Sequence, residues 1–366
     1  MLSKRIKKIK ESGIRKFFDL AAENKGSFID LSIGQPHFPV SAKLKKAAKI
    51  AIDSNCNSYT SSAGRPDLRK KIAAKLRAEN NISAKPEEII MTAGVSGALF
   101  LAFGACLDPG DEIIVPDPYF VFYKEILTFL GIKIVFLDTY PDFHIDSEKL
   151  KKLITPKTKA ILLNSPNNPT GAVYTKEELK KIAQIAKKRN LLIISDEIYE
   201  KFDYDDKFFS IGSIYKNTLT LNGFSKSQAI TGWRLGYAHG PQYIIEAMKK
   251  LQQYSFICAP SLVQAALETE MNLSLSEEIK KYKAKRDFVY ENLKDKFDLN
   301  RPEGAIFAFV KIPKGKKNFS EKLMDNKLLA VPGKVFSKKS NYFRISFAVD
   351  DKILKKGVQI LRKLAQ

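Results

Sequence analysis

A chain of 366 residues, 44% hydrophobic and 28% charged, is long enough to bury a large core and too apolar to be disordered. No apolar run reaches the roughly 20 residues of a membrane-spanning helix, and the basic start "MLSKRIKKIKESGIRKFF" lacks the roughly 7–15-residue apolar centre of an export signal. The net charge of +22 comes from lysines set beside acids or apolar stripes, as in "KEELKKIAQIAKKR", not from a patch interleaved with aromatics, so neither a nucleic-acid nor a membrane partner is expected.

Cys56, Cys106 and Cys258 are widely spaced and form no disulfide or zinc pattern. His37, His144 and His239 show no metal-like spacing either. With no export signal, a cytoplasmic protein is expected.

The first clear element is "DLRKKIAAKLRAEN", residues 67–80. Leu68, Ile72 and Leu76 recur at helical spacing behind Pro66, which predicts an amphipathic helix. The strand-like "EEIIMTA" then leads into "GVSGALFLAFGA", a glycine-containing turn that opens a helix. Short apolar runs follow at 112–116, 132–137, 159–164, 191–196 and 218–222. They are β-rich and apolar at successive positions, as strands covered on both faces must be. Between the third and fourth, Thr175 and Glu178 have capping-box spacing, and Leu179, Ile182 and Ala186 make a helical stripe. Strands alternating with helices predict an α/β fold with a mostly parallel, helix-covered sheet. The last third reads differently: a charged helix over about 275–300, strand-like "EGAIFAFVKI" and "NYFRISFAV", and a closing amphipathic helix. That predicts a smaller α+β domain built from both chain ends.

In such sheets ligands sit beyond the carboxyl ends of the strands. There the chain places "SPNNPTG", "DEIY" and "GFSK". A carboxylate (Asp196), an aromatic hydroxyl three residues on (Tyr199) and a lysine thirty residues later (Lys226, 226 − 196 = 30) together suit pyridoxal 5'-phosphate. That cofactor needs an amine for a Schiff base and a carboxylate to keep its ring nitrogen protonated. It also needs donors on its phenolate oxygen and a phosphate pocket. Lys226 and Asp196 fill the first two roles; Tyr199 and Asn168 fill the third. Arg234, Ser225, Ser96 and the amides of Val95 and Ser96, at a helix start opened by Gly94, fill the fourth. No G-x-G-x-x-G or phosphate-loop pattern is present, which argues against a dehydrogenase or an ATPase.

These stretches, together with "IDLSIGQPHFP", "YTSSAGRPDLRKKIA", "DPYFVFY", "GFSKSQAITGWRLGY", "PEGAIFAF" and "FRISFA", run in the order and spacing of one family. The chain resembles the class I aminotransferases, pyridoxal-phosphate enzymes of the aspartate aminotransferase superfamily (fold type I), over nearly its whole length. The resemblance implies that Lys226 makes the Schiff base and shuttles the proton, and that Phe120 stacks on the cofactor ring. It implies that Tyr59 reaches the phosphate of a neighbouring subunit, hence a homodimer with shared sites. Arg344 would grip the substrate α-carboxylate as a bidentate pair, helped by Asn168 and the backbone near Gly34. The implied reaction moves an amino group from an L-amino acid to a 2-oxo acid. The same residues would serve a C–S β-lyase, because both reactions begin with loss of the α-proton. A regulator that merely binds the cofactor is disfavoured, since only about 30 residues precede "LSIGQPHFP". The expected division is 1–40 as an arm and part of the small domain, 41–274 as the large cofactor-binding domain and 275–366 as the small C-terminal domain.

Two positions depart from the family. Gly223 stands where many relatives carry a phosphate-binding serine. Ser96 stands where aspartate-specific members of one branch can carry a lysine, so no second cation for a side-chain carboxylate is identified.

Overall fold

The computed structural model describes residues 1–23, 26–271, 274–316, 318–339 and 341–366. After the two-residue strand β1 (Ile29–Asp30) come the seven strands of a large sheet: β2 (Ile89–Thr92), β3 (Glu112–Asp117), β4 (Lys133–Asp138), β5 (Thr158–Asn164), β6 (Leu192–Asp196), β7 (Thr218–Gly223) and β8 (Gly236–His239). Their spatial order is β2-β8-β7-β6-β5-β3-β4. The pairs from β7 through β4 are parallel, and β8 runs antiparallel to both of its neighbours.

The continuous apolar runs are explained by what covers the sheet. Ile113, Leu162 and Ile194 pack on one face with residues of the helices Gly94–Cys106, Val121–Leu130 and Gln242–Gln253. Ile114, Ile161, Leu163 and Ile193 pack on the other face with the helix Lys176–Arg189. Successive side chains of a strand point to opposite faces, so a strand buried on both sides has no polar positions to spare. The helix Lys176–Arg189 starts as its sequence predicts. The Thr175 side chain accepts from the Glu178 amide at 3.2 Å, and the Glu178 carboxylate accepts from the Thr175 amide at 2.7 Å. Leu179, Ile182 and Ala186 are buried along its inner face.

The second layer is an antiparallel sheet of β9 (Phe307–Lys311), β11 (Val331–Pro332) and β12 (Tyr342–Ser346), in the order β11-β12-β9. It packs with the helices Ser276–Leu293 and Asp351–Ala365 around Phe307, Phe343, Phe347 and Leu361. The N-terminal end of the chain joins this layer, because β1 pairs in parallel with β10 (Leu328–Leu329). The fold is therefore α/β, with a smaller α+β layer drawn from both chain ends. The layers meet over the carboxyl ends of β5, β6 and β7, and the residues of interest lie there.

Candidate active site

Beyond those strand ends is a cavity of about 240 Å³. All of the predicted site residues line it except Gly94 and Tyr59. They arrive from separate elements. Asp196 ends β6, and the loop after β7 carries Ser225 and Lys226. Val95 and Ser96 belong to the first turn of the helix Gly94–Cys106, and Phe120 is the cap of the helix Val121–Leu130. Arg344 lies on β12 of the small layer.

Burial sets the electrostatics. The Lys226 ammonium donates to the Gly34 carbonyl at 2.6 Å and lies 5.5 Å from the Tyr199 ring centre. Burial first, then the charges of Arg344 and Arg234, push its pKa down to about 8, with Asp196 opposing. Asp196 is 3% exposed. Burial pushes its carboxyl up to about 6, against hydrogen bonds from Tyr123 and the Ile198 amide and the charge of Lys226. A cationic ring nitrogen placed against Asp196 would favour its charged form. Tyr199 is also buried, and its hydroxyl is pushed up, so it is neutral and able to donate.

Arg344 is 1% exposed, and no carboxylate pairs with it among the described residues. Its Nη1 donates to Asn168 Oδ1 at 2.9 Å and its Nη2 to the Ser32 carbonyl at 2.7 Å. The guanidinium is stacked 4.2 Å from the Phe307 ring and 4.8 Å from the Phe336 ring. Burial lowers its pKa to about 9. A guanidinium held dry between two rings with only neutral partners is a site for a carboxylate. Asn168 Oδ1 is engaged by Arg344, and the residue lines the cavity.

The corner around Arg234 depends on Gly94. Its φ is +70°, and a Cβ there would lie 2.6 Å from Arg234 Nη2. Only glycine lets the guanidinium rest against the start of the helix. Arg234 donates to the Thr231 carbonyl at 2.9 Å and has no acidic partner among the described residues. An unpaired cation beside a helix N-terminus and the Ser225 and Ser96 hydroxyls is chemically suited to a phosphate. The residues present thus fit pyridoxal phosphate at each of its polar groups.

Tyr59 lies elsewhere, 79% exposed on the surface beside Cys56 and Arg65. It does not face the cavity of its own chain. The sequence reading also missed residues that the fold brings in. Tyr123 donates to Asp196 Oδ2 at 2.7 Å in a fully buried contact. Asn164 Oδ1 accepts from the Asn168 amide at 2.9 Å, and its Nδ2 donates to the Asp196 carbonyl at 3.0 Å. Ile14, Leu99, Ile198 and Phe307 complete the walls. Tyr123 was within reach of sequence reasoning, since it stands three residues after Phe120 on the same helix face.

The family model of aminotransferase class I and II matches residues 27–361. A probable aspartate aminotransferase of Methanocaldococcus jannaschii is 39% identical over 377 residues, covering 100% of both chains. The aromatic-amino-acid aminotransferase 2 of Thermococcus litoralis is 36% identical, covering 99% of this chain and 98% of its own. Among solved structures, the aspartate aminotransferase of Thermus thermophilus with maleate matches at a TM-score of 0.94 and 35% identity, over 100% of this chain and 99% of its own. On fold, cavity and likeness together, the chain belongs to the class I and II aminotransferases, amino-group transferases of a family that uses pyridoxal phosphate.

Proposed function

We propose that this chain binds pyridoxal phosphate through the Lys226 amine and transfers an amino group from an L-amino acid to a 2-oxo acid. The observation that carries the reading is that Lys226 and Asp196 line one cavity, with Arg344, which has no carboxylate partner among the described residues, beside them. The bound cofactor supplies an electron sink for negative charge at the substrate α-carbon. This chain's residues do the rest. Arg344 fixes the substrate α-carboxylate through a planar fork, which aims the α-proton at Lys226. Lys226, with its proton affinity lowered by burial, can accept that proton near neutral pH and return it. Asp196 holds a positive ring nitrogen, Tyr199 and Asn168 Nδ2 donate to the phenolate oxygen, and Phe120 walls one face. Arg234, Ser225, Ser96 and the Val95 amide hold the phosphate.

Lys226, Arg234 and Arg344 are the cations of the lining, and each already has a role. None is left for a side-chain carboxylate, and Ile14 and Phe307 stand in the wall. This supports apolar or aromatic amino donors over aspartate. Tyr59, exposed on this chain, is read as completing the phosphate site of a second copy in a homodimer. The part at 41–274 is read as the cofactor-binding domain, and 275–366 with 1–40 as the part that brings Arg344 over it.

The test is Lys226→Ala with a panel of amino acids against 2-oxoglutarate. Keto-acid formation should fall by roughly 10,000-fold, and the absorbance of the cofactor joined to lysine should vanish. Undiminished transfer in that variant would sink the reading. Pyruvate and ammonia from cysteine-type substrates, without a 2-oxo acid, would replace it with β-elimination.

A further inference from the structure

The stretch between β1 and the helix Ala42–Asp53 has no strand or helix of its own, yet two of its carbonyls take hydrogen bonds from cations of the site. The Ser32 carbonyl accepts from Arg344 Nη2 at 2.7 Å, and the Gly34 carbonyl accepts from Lys226 Nζ at 2.6 Å. The fit is close there. A Cβ on Gly34 would lie 2.9 Å from the Phe307 ring, the same ring on which Arg344 stacks. A small displacement of this stretch would therefore misaim both cations.

A segment without a ladder of its own needs anchors. At its near end the Leu31 amide donates to the Leu329 carbonyl at 2.9 Å, and the Leu31 carbonyl accepts from the Ser346 amide at 2.7 Å. Asp30 Oδ1 accepts from the amide and the hydroxyl of Ser32, at 2.7 and 2.6 Å. At the far end, three residues past Gly34, the hold comes from one side chain. Tyr282 Oη accepts from the His37 amide at 3.0 Å and lies 2.8 Å from His37 Nδ1. The amide is the donor in the first bond, so the hydroxyl hydrogen serves Nδ1 and the ring carries its own proton on Nε2. Burial first, then the charge of Lys285, hold this imidazole below its ordinary pKa of 6.5, against Glu278, Asp351 and Asp350, in keeping with an accepting Nδ1 at neutral pH.

Tyr282 is itself fixed. It belongs to the helix Ser276–Leu293 and is 0% exposed. Phe38 and Phe202 meet its ring edge-on, with centroids 6.1 and 5.5 Å away. A buried hydroxyl needs a partner. Here both its donor and its acceptor capacity are spent on one residue of the stretch. His37 is exposed, so water can satisfy it equally well, and its own burial does not force the pairing. What the pairing does is fix where the stretch lies.

We infer that Tyr282 and His37 are positioning residues for the transfer reaction: their two hydrogen bonds latch the far end of this stretch, and so hold the Ser32 and Gly34 carbonyls against Arg344 and Lys226. The inference rests on the transfer reading above. It assigns the latch no contact with substrate. The hydroxyl acts on the stretch, and the stretch aims the guanidinium that holds the carboxylate and the amine that moves the proton.

The probe is 3-phenylpropionate, an unreactive acid with a carboxylate for Arg344 and no amino group, titrated calorimetrically into the holoenzyme beside steady-state kinetics. Tyr282→Phe keeps the ring and removes both bonds; it should weaken the acid by about tenfold and lower kcat by a similar factor. His37→Leu, which removes the acceptor, should act in the same direction. His37→Asn, which keeps an acceptor near the place of Nδ1, should stay within about twofold of the parent. The double variant Tyr282→Phe/His37→Leu should lose little more than Tyr282→Phe alone, since both changes break one latch. The inference is overturned if Tyr282→Phe shifts the urea midpoint but leaves affinity and kcat as in the parent, or if His37→Asn is as impaired as His37→Leu. A parent that neither binds the acid nor transfers amino groups would sink the transfer reading, and the latch with it. A parent that does both, matched by its variants, sinks the latch alone.

Discussion

Arg286 and Arg344 are both fully buried in the C-terminal third of the chain, yet the protein treats them in opposite ways. Arg286 donates through Nη1 and Nη2 to the Asp205 carboxylate, at 3.3 and 3.4 Å, and through Nη1 to the Pro302 carbonyl at 2.6 Å. Burial works to raise the Asp205 carboxyl, but the bonds and charge of Arg286 outweigh it and hold the group below its usual range. Arg344 has rings on two sides and neutral oxygens as hydrogen-bond partners, with no acid among the described residues. A buried charge is tolerated when it is paired, so Arg286 has the arrangement expected of a structural residue. Arg344 leaves that requirement to be met by a ligand. The contrast separates a cation paired within the fold from one that, on the proposed function, is kept for binding.

The largest expected effect breaks the comparison at Arg344. Arg344→Ala should lower kcat/KM by roughly 100- to 1,000-fold, about 3–4 kcal/mol, because a desolvated carboxylate loses its partner. Arg344→Lys should recover little, since an ammonium cannot form the planar fork. Steady-state kinetics with a good amino donor checks both, and urea midpoints should move by no more than about 1 kcal/mol. Arg286→Met should do the reverse. It removes the buried partner of Asp205, and stability should drop by about 3 kcal/mol, the lower end for breaking a buried pair. Lys283 and Arg301 remain near Asp205 at 3.5 and 3.8 Å, which limits the loss. Activity per folded molecule should be unchanged; a matching fall in kcat/KM would erase the distinction between the two arginines.

Tyr123→Phe sharpens the same contrast inside the site. Tyr123 lowers the Asp196 pKa by donating to the charged carboxylate. Without that bond the carboxyl rises further above its ordinary value, and the acid limb of the pH–rate profile should move to higher pH. The charge-assisted bond is worth ~1.5 kcal/mol or more, so activity on the acid side should fall by about tenfold. An acid limb left in place would mean that Tyr123 only fills space.

The main sheet was legible because its inner strands are buried on both faces. The run predicted at 159–164 is β5 (Thr158–Asn164), and the one at 218–222 is β7 (Thr218–Gly223). Strand β8 is not announced as a strand, although its first two residues, Gly236 and Tyr237, fall within "GFSKSQAITGWRLGY". It is four residues long, begins with glycine and runs against its neighbours, so no alternation or apolar run announces it. The charged helix expected over about 275–300 is Ser276–Leu293, and the stretch beyond it enters turns and the Asp298–Lys311 bridge. The cavity lining was legible where one residue type suits one chemical task, as proposed for Lys226, Asp196 and Arg344. It was not legible where a role depends on geometry that sequence does not fix. Asn164 orients Asn168 only because a turn folds back on β5.

The smallest expected effect concerns His144, which links the two layers. Its Nδ1 lies 3.0 Å from Glu178 Oε2 and its Nε2 lies 3.5 Å from Glu303 Oε2. Glu178 caps a helix of the large layer, whereas Glu303 precedes β9 and also accepts from the Val173 amide at 3.0 Å and from Lys207 at 2.6 Å. The hydrogen bonds to Glu178 and then Glu303 push the His144 pKa from its ordinary 6.5 to about 10. A group raised in the folded state stabilises fully below its unfolded value and loses that contribution as pH rises through the folded one. The link should therefore be complete below about pH 6.5 and gone above about pH 10. Burial tends to raise the Glu303 carboxyl, but the bonds from His144 and Lys207 hold it down at about 2, so its share is lost only in strong acid. The His144 side chain is 29% exposed, so solvent screening limits the pair to about 1 kcal/mol. Urea midpoints of the parent and of His144→Gln should differ by about that much at pH 6 and converge by pH 10. A difference that is the same at both values would show that the imidazole acts through packing, and the link between the layers would not be ionic.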